Sequence, residues 1–508
     1  MWNAGYVSEV DYLYGYYPEL SPQRLKLALL SRGIQHSVGE HPNYLELGFG
    51  QGVSLNINAA TSEGQFFGTD FNPAQAAHAR ELAEASGQPV RIFDHAFEEL
   101  MAVEDLPQFD IISLHGIWSW ISADGRQSIL NILHRKLKPG GILYISYNVT
   151  PGWSSVVPLR HLMAQYAKTA AKGDLLSRVD QSIEFVEKVI EDGASYFSAN
   201  PALAHRLEAI KGQDRNYIAH EYFNTFWDPM PFSAVAEILE SAKLGFAASA
   251  NILDNIPSIS TPEKARPILA RIDDVKLRET TRDYFVNQQF RRDIFARGVR
   301  VMSHYELLEI AGQQYFMLLG DPASPPSKIV AGAGEASLRS DIYGPLTDAL
   351  ASRLLEPISV AELEASPACK KLSRAQIWEA LLILMAQGFV APVQIPGSQS
   401  ASPGASRRLN AHICKRAQYS GDIQHLAAPT IGSALPVNRI EQLFLHAIHQ
   451  VHDDAPAFVQ TTLTAQEQRL VIDGKEIADP EKMEAQLRKM FVNFSEERLP
   501  VLKAVGAV

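Results

Sequence analysis

Residues 44–52 of the chain read YLELGFGQG, and this stretch decides the fold. An apolar run of strand length carries one acid and then enters three glycines with the spacing G-x-G-x-G. Glycine lets the backbone turn sharply and approach a bound molecule, because no Cβ stands in the way. The pattern predicts a nucleotide-binding loop after the first strand of an α/β domain, and the segments around it decide which nucleotide.

Short β-rich runs alternate with helical stretches on both sides of this loop. Strands are predicted at residues 44–47, 65–69, 90–93, 110–114 and 142–147, with two later antiparallel strands at 244–253 and 289–297. Helices are predicted at 125–137 and at 73–86, where Asn72 is a suitable N-cap and Pro73 suits the first helical position. This alternation predicts an α/β fold with a mostly parallel, doubly wound, Rossmann-like sheet.

The rest of the chain is predicted to add further units. We expect residues 1–157 and 211–320 to form the sheet-containing core, with 158–210 as a helical insertion over the site. Residues 336–393 read as a winged-helix-like module, and 409–508 as a C-terminal helical region. The stretches 322–335 and 394–408 are rich in Pro, Gly, Ala and Ser, which is typical of linkers.

Composition narrows the class of protein. The 508 residues are 46% hydrophobic and 20% charged, with a formal net charge of −11, which disfavours a nucleic-acid partner. The first nine residues do not read as a signal peptide, and no uncharged apolar run reaches about 18 residues, so we expect a cytoplasmic protein without a membrane span. The two cysteines, Cys369 and Cys414, match no metal-ligand spacing and are expected to be packing residues.

Carboxylates and other polar groups occur at the ends of the predicted strands. Asp70 ends the second strand, where a carboxylate can accept hydrogen bonds from both ribose hydroxyls of an adenosine. The third strand ends at Asp94-His95-Ala96-Phe97, which can supply a side chain and a backbone N–H to an adenine. Residues 138–141, KPGG, predict a tight turn before the fifth strand.

The acid in the loop separates two cofactor classes. Dinucleotide-binding domains prefer G-x-G-x-x-G and bind a pyrophosphate at the helix N-terminus. Glu46 would repel a pyrophosphate but attract the amino group and sulfonium of S-adenosylmethionine, which we therefore favour over NAD. The expected cofactor-binding residues are Glu46, Gly48, Gly50, Gly52, Asp70, Phe71, Asn72, His95, Ala96, Phe97 and Gly116.

This set of residues, with the KPGG turn, resembles class I S-adenosylmethionine-dependent methyltransferases. Five further strings narrow this resemblance to one group of methyltransferases. They are DIISLHGIWSW (110–120), YNVTPGW (147–153), HEY (220–222), QFRRDIF (289–295) and YLYGYYPELSP (12–22). They resemble bacterial methyltransferases that carry a methyltransferase regulatory domain, whose best-known members methylate lysines of outer-membrane proteins. The resemblance covers nearly the whole chain and implies the seven-stranded class I sheet.

Two departures from the family pattern concern the cofactor site. Phe49 stands between the glycines, where many members have a small residue or Cys. His95 stands where a broad range of methyltransferases has an acid. The residue that contacts adenine therefore stays open between Asp94 and His95.

Catalytic candidates follow the fourth and fifth strands, at the edge where open α/β sheets bind ligands. They are Tyr147, Asn148, His115 and Trp118. Tyr147 and Asn148 can orient the acceptor, whereas Trp118 or Trp120 can hold a cationic amine by cation–π contact. Each also has a structural reading, as a satisfied histidine or a packing aromatic. Asn148 begins only a poor match to the NPPY motif of amino-directed DNA methyltransferases.

Two further groups of side chains have less specific readings. The Tyr-rich opening, Tyr6, Tyr12, Tyr14, Tyr16 and Tyr17, suggests either a lid over the cofactor or a packing segment. Arg291 and Arg292 read as surface or interface charges in the last strand.

Three functions fit these features. The first is N-methylation of a protein lysine, which needs the amine held in line with the methyl carbon and its pKa lowered from about 10.4. The second is methylation of a small molecule, with the appended domains used for dimerisation. The third is a non-catalytic protein that senses cofactor and recruits a partner. Neither methyltransferase reading requires a metal ion or a covalent nucleophile.

Overall fold

The structure is a computed structural model that describes residues 13–394, 403–472, 475–477 and 479–508. Its centre is a seven-stranded sheet whose strands we number in chain order. They are β1 Asn43–Leu47, β2 Gln65–Thr69, β3 Arg91–Phe93, β4 Phe109–Leu114, β5 Leu137–Asn148, β6 Gly245–Ser249 and β7 Phe290–Ala296. The spatial order is β3-β2-β1-β4-β5-β7-β6.

The first five strands run parallel, whereas β7 lies antiparallel between β5 and β6. The prediction of a doubly wound sheet is confirmed. The prediction that both late strands are antiparallel was wrong for β6, which is antiparallel to β7 and therefore runs parallel to the first five strands. Tyr44 and Leu45 of β1 are both fully buried and pack into different apolar clusters, so helices cover both faces. These helices are α1 Pro22–Ser31, α2 Val53–Thr61, α3 Pro73–Ser86, α4 Phe97–Leu100 and α5 Ala123–Lys136.

The KPGG stretch is part of β5 rather than a turn before it, so this prediction was wrong. The strand pairs with β4 from Leu137 onward, and its register shifts opposite Phe109 and Ile111. Gly140 supplies the required positive φ of +77°, and its N–H donates to the Arg297 carbonyl at 2.8 Å. Gly140 and Gly141 therefore form a bulge, and β5 begins before this bulge, at Leu137, rather than after it.

Gly52 begins α2 in the left-handed region, with φ +73°. A Cβ at this position would lie 2.4 Å from the Ala79 Cβ of α3, so glycine permits the close approach of the two helices.

We expect Gly52→Ala to lower the melting temperature more than Gly193→Ala. Gly193 has a similar φ of +81°, but nothing lies within 4 Å of its would-be Cβ. Its substitution costs about 1–2 kcal/mol of backbone strain, whereas Gly52→Ala adds a packing clash of about 1–3 kcal/mol. Equal shifts of the two variants in calorimetry would contradict the packing role of Gly52.

The predicted insertion is helical and has its own apolar core. Its helices are α6 Val157–Thr169, α7 Leu175–Glu191, α8 Ser195–Ala199 and α9 Ala202–Lys211. The chain returns to β6 of the sheet through α10 Arg215–Tyr222 and α11 Phe232–Glu240. Between β6 and β7 it forms three more helices, Pro257–Ser260, Arg266–Leu269 and Val275–Val286.

The next unit contains three helices followed by a strand, and its assignment as a winged-helix-like module stays a prediction. Its helices are Ser340–Ala351, Val360–Ala365 and Arg374–Ala386. A small antiparallel sheet accompanies them, in which the central strand Tyr315–Leu318 pairs with Val390–Val393 on one side and with Ile358–Ser359 on the other. Helix His304–Gly312 precedes it. The predicted linker 322–335 is not simply a linker, since Lys328–Ala331 and Gly334–Ser337 form a hairpin. Of the second predicted linker, residues 395–402 lie outside the described residues.

The C-terminal region packs on the seven-stranded sheet through α2 and α3. Ser406 donates to the Ala60 carbonyl at 2.7 Å, and Arg408 donates to the Ser86 carbonyl at 2.7 Å. Its helices are Pro403–Arg416, Arg439–His449, Ala455–Ala465, Pro480–Asn493 and Leu499–Ala504. Its hairpins pair His425–Ala428 with Ser433–Pro436 and Leu470–Ile472 with Lys475–Ile477. Within the described ranges, no helix is both long and apolar enough to cross a membrane.

Candidate active site

A cavity of about 710 Å³ opens where β1 to β4 end, at the carboxyl edge of the sheet. This is the edge at which open α/β sheets bind ligands, and the volume suits a small-molecule site. No residue of the helical insertion is among its described lining residues. The predicted insertion, residues 158–210, therefore does not contact this cavity through any of the described lining residues.

The glycine loop forms one wall and has the backbone that its sequence predicts. Gly48 and Gly50 have φ values of +71° and +57°. The Gly48 N–H donates to the Thr69 carbonyl at 2.8 Å, and the Gly50 N–H donates to the Asp70 carboxylate at 2.9 Å. A Cβ on Gly48 would lie 2.4 Å from the Ile117 Cδ1, so the loop packs against the segment after β4. The first two glycines thus shape the cavity, whereas Gly52 does not line it.

Asp70 lines the cavity while its carboxylate also holds the loop. It accepts hydrogen bonds from the backbone N–H groups of Gly50 and Asn72, at 2.9 and 3.0 Å. The Gln75 amide, with its nitrogen turned toward this carboxylate, donates at 2.9 Å. Burial raises the pKa of Asp70 to about 6, although the two backbone hydrogen bonds lower it. Asn72 caps α3 by accepting from the Ala74 N–H at 3.0 Å and is not among the lining residues of the cavity.

Glu46 is a nearly fully buried acid at the base of the cavity, and it accepts a hydrogen bond of 3.3 Å from the Tyr44 hydroxyl. Burial raises the pKa of Glu46 to about 8, and the nearby Asp70 raises it further. Because the folded pKa exceeds the unfolded one, the stability that goes with a protonated Glu46 is lost as pH rises toward 8. A bound cation would favour the ionised form, and this fits the cationic end of a sulfonium cofactor.

Most predicted cofactor residues meet at this cavity. The predicted residues that line it are Glu46, Gly48, Gly50, Asp70, Phe71, His95, Ala96, Phe97, His115 and Gly116. Asp94 also lines it and pairs with Arg80 at 3.1 Å, whereas the His95 carbonyl accepts from the Thr69 hydroxyl at 2.5 Å. Both candidates for the adenine contact, Asp94 and His95, therefore line the cavity side by side.

His115 is the one predicted catalytic residue that lines the cavity. Its Nδ1 lies 2.8 Å from the Tyr144 hydroxyl, and its ring stacks on Tyr17 with centroids 3.8 Å apart. Burial lowers the pKa of His115 to about 3, so the imidazole is neutral at physiological pH. Tyr17 and Leu13 bring the N-terminal segment to the cavity, while Tyr16 is buried against Ser433, 2.7 Å from its hydroxyl. Tyr6 and Tyr12 lie outside the described residues.

Trp118, a predicted catalytic residue, is not among the lining residues of the cavity. Its side chain is fully buried in the apolar cluster behind β4, with the Arg126 guanidinium 5.9 Å from the ring centroid. Two residues later, Trp120 lines the cavity instead. The short 3₁₀ turn Trp118–Trp120 points the two indoles to different surroundings.

Tyr147 and Asn148 are also absent from the lining residues. The Tyr147 hydroxyl donates to Asp293 at 2.7 Å inside a buried ion cluster. Arg291 is at the centre of this cluster, 2.6 Å from Asp283, 2.8 Å from Asp293 and 3.0 Å from Glu279. The structure therefore ties Tyr147 into the core and corrects the surface placement of Arg291. Arg292 remains partly exposed and pairs with Glu19.

Sequence reasoning missed the wall that α4 and α5 contribute. Its residues include Glu98, Glu99, Ile121, Ser122, Asp124, Gly125 and Ser128. The only available signal was the N-cap Ser122 after the tryptophans, where the Gly125 N–H donates to the serine hydroxyl at 3.1 Å. This cap begins α5 at the cavity.

The cavity carries a strongly acidic lining. Six carboxyl side chains border it: Glu46, Asp70, Asp94, Glu98, Glu99 and Asp124. No Lys or Arg occurs among its described lining residues. Such a lining favours cationic ligands and disfavours phosphates and pyrophosphates.

Comparisons with known proteins agree with this site. A family model described as "Methyltransferase domain" matches residues 45–141, and "Predicted methyltransferase regulatory domain" matches residues 214–297. The chain is 37% identical over 99% of both chains to the uncharacterized protein sll1526 of Synechocystis. A second relative, RP028 of Rickettsia prowazekii, is 29% identical over 36% of this chain and 73% of that protein.

The solved structure of PKMT2 from Rickettsia typhi in complex with AdoHcy shares the fold. Its TM-score is 0.71 at 19% identity, and the match covers 98% of this chain and 99% of that chain. Together, the fold, the acidic glycine-loop site and both family domains assign the enzyme class. The chain belongs to the class I S-adenosylmethionine-dependent methyltransferases that carry a methyltransferase regulatory domain.

Proposed function

We propose that this enzyme transfers a methyl group from S-adenosylmethionine to the side-chain amine of lysine in a protein. The observation that carries the proposal is the set of six cavity carboxyls without a lining Lys or Arg in the described residues. Both reactants of lysine methylation carry positive charge, so this lining would concentrate both of them. The AdoHcy complex of the structurally similar PKMT2 supports the same cofactor chemistry.

The proposed cofactor contacts divide the cavity into two ends. Asp70 would receive the ribose hydroxyls, and the segment Asp94–Phe97 would surround the adenine. Glu46 and the glycine loop would hold the charged amino acid portion. When bound, the cofactor supplies an electrophilic methyl group on a sulfonium.

The chain's own residues would position the acceptor and exclude water. Tyr17 and the neutral His115 lie beyond the glycine loop, where the acceptor amine would approach. A neutral imidazole does not repel an ammonium, in contrast to an imidazolium. Holding the amine in line with the methyl carbon accounts for much of the rate gain available to such a site.

We also propose residues 1–157 and 211–320 as the catalytic unit, because the two family domains both fall inside these ranges. The winged-helix-like and C-terminal regions would then provide surfaces for a protein acceptor. Helix Pro403–Arg416 packs beside the glycine-loop helix α2, which brings the C-terminal region close to the site.

The acceptor class can be tested with methyl-radiolabelled S-adenosylmethionine and a cell-envelope fraction. We expect label to appear in protein bands with the wild-type enzyme and to disappear with Asp70→Ala. Label found only in the small-molecule fraction would contradict the proposal and favour methylation of a small molecule, with the appended domains used for dimerisation.

Glu46 should release a proton when the cofactor binds. With a pKa of about 8, this acid is roughly nine-tenths protonated at pH 7, and the cofactor's positive charge favours its ionised form. Calorimetry at pH 7 in buffers of different ionisation enthalpy should therefore show about 0.9 more protons released by the wild type than by Glu46→Gln. The difference should vanish well above pH 8. Equal proton release by both proteins at pH 7 would contradict the role of Glu46.

A further inference from the structure

Glu221 is a half-buried carboxyl group that the cofactor site does not use. It lies on α10, within the regulatory-domain match, and its side chain faces Asn148 at the carboxyl end of β5. Arg160 and Arg206 act on Glu221 electrostatically, yet no ion pair joins them to it in the part of the chain that the structure describes. Burial raises the pKa of Glu221 to about 7, although Asn148 and the two arginines lower it.

One flank leads from Glu221 toward the cavity by way of Tyr217, Tyr17 and His115. Tyr217 precedes Glu221 by four residues and therefore lies on the same face of α10. Burial raises the pKa of Tyr217 to about 12, and the nearby Tyr17 adds slightly to this rise. Tyr17 in turn stacks on His115, and both line the cavity. This face of α10 is thus directed toward the acceptor end of the site.

A row of aromatic side chains forms the opposite flank. Trp120 lines the cavity, and its ring centroid lies 6.1 Å from that of Trp227. Trp227 packs on Trp153 at 5.3 Å, and Trp153 packs on Tyr222, the neighbour of Glu221, at 6.5 Å. Aromatic faces of this kind hold alkyl chains and ammonium groups.

The two arginines beside this row are committed to other partners. The Arg160 guanidinium lies 4.7 Å from the Trp227 ring centroid and donates to the Asn224 carbonyl at 2.7 Å. The Arg206 guanidinium lies 4.9 Å from the Trp153 ring centroid and donates to the Tyr222 hydroxyl at 3.2 Å. Both therefore stabilise the aromatic wall and leave the Glu221 carboxylate available for another cation.

Buried donors in the same wall also lack partners. The indole N–H groups of Trp153 and Trp227 make no hydrogen bond within the described residues. Buried polar groups are nearly always paired in folded proteins, so unpaired donors point to a site that a ligand or water completes. Backbone carbonyls of a protein acceptor are suitable partners for them.

We propose that Glu221 is the acceptor-side carboxylate, which binds the lysine ammonium between these aromatic flanks and takes its proton. This inference rests on the proposed lysine methylation. The ammonium N–H bond breaks and its proton moves to Glu221. The nitrogen lone pair then forms the N–C bond to the methyl carbon while the C–S bond breaks, and its electron pair stays on sulfur. The products are a methylated lysine and the neutral thioether.

The kinetic test uses Glu221→Gln, which keeps the shape and removes the charge. With radiolabelled S-adenosylmethionine and the envelope fraction, methyl-lysine formation should fall about 100-fold, while cofactor affinity in calorimetry changes less than twofold. The wild-type rate should rise with pH through about 7, and the variant should lose this inflection. The other charged and titratable groups that face Glu221 are Arg160, Arg206, Tyr217 and Tyr222. Glu208→Gln, an exposed acid beside Lys211, is the matched control and should keep the wild-type rate and profile.

A binding test needs no turnover. Titration of the AdoHcy-loaded enzyme with n-butylammonium should quench tryptophan fluorescence saturably, because the probe would contact Trp120, the cavity end of the aromatic row. Glu221→Gln should weaken this binding at least tenfold, and Glu221→Asp should retain part of it. Methyl-lysine formation at the wild-type rate by Glu221→Gln, or unchanged probe binding, would overturn the role of Glu221 alone. An absence of methyl-lysine with wild-type enzyme would instead overturn the proposed function.

Discussion

Asp70→Ala is expected to weaken binding of S-adenosylmethionine at least tenfold. In the proposed complex, the carboxylate accepts hydrogen bonds from the ribose hydroxyls, and charge-assisted bonds of this kind contribute about 1.5–3 kcal/mol. The same carboxylate holds the N–H groups of Gly50 and Asn72, so its loss also loosens the glycine loop. Calorimetry of the purified variant measures the affinity directly.

The matched control for this variant is Asp105→Asn. Asp105 is largely exposed, pairs with Arg91 at 2.9 Å and lies outside the cavity lining. It should bind the cofactor as the wild type does. An Asp70→Ala protein with wild-type affinity would contradict the ribose assignment.

Gly48→Ala should abolish most methyl transfer, at least 100-fold, while the protein stays folded. The new Cβ would lie 2.4 Å from the Ile117 Cδ1 and 2.8 Å from its Cγ1, and the φ of +71° adds strain. The loop must then shift, and small misplacements of a reacting group cost about 10²-fold in rate. Initial rates and circular dichroism separate lost activity from lost folding.

A second substitution distinguishes the clash from the strain. Ile117→Ala removes both contacting atoms, so the double variant should recover part of the lost activity. Gly39→Ala serves as the control, because nothing lies within 4 Å of its would-be Cβ. If Gly48→Ala retained wild-type rates, the close packing of the loop against the segment after β4 would not matter for catalysis.

Local signals predicted the first half of the sheet well. Helix α3 has the predicted bounds because Asn72 caps it, Pro73 occupies its first position and Gly87 ends it in the left-handed region. Strand β2 also has its predicted bounds, because turn-forming residues flank an apolar run. Such elements are determined by neighbours in sequence, so sequence alone suffices.

The errors occurred where distant segments decide the environment. Arg291 read as a surface charge, but Glu279, Asp283 and Asp293 surround it and compensate for its burial. Tyr147 ends a strand at the ligand edge, yet its hydroxyl is drawn into the same cluster. Neither the partners nor the direction of these side chains follows from local periodicity.

The acceptor side was the least predictable part of the site. The HEY string at residues 220–222 carries a family resemblance, but nothing in it indicates that Glu221 faces Asn148. The row of Trp120, Trp227 and Trp153 joins three separate segments of the chain. Only tertiary structure brings these residues together.

The proposed reaction transfers the methyl group to a lysine side chain of a protein. Its most direct test is peptide mass spectrometry of an envelope fraction after reaction with S-adenosylmethionine that carries a trideuteromethyl group. We predict heavy methyl groups on lysine Nζ atoms with the wild-type enzyme and none with Asp70→Ala. Heavy methyl groups confined to small molecules, or to side chains other than lysine, would contradict the claim.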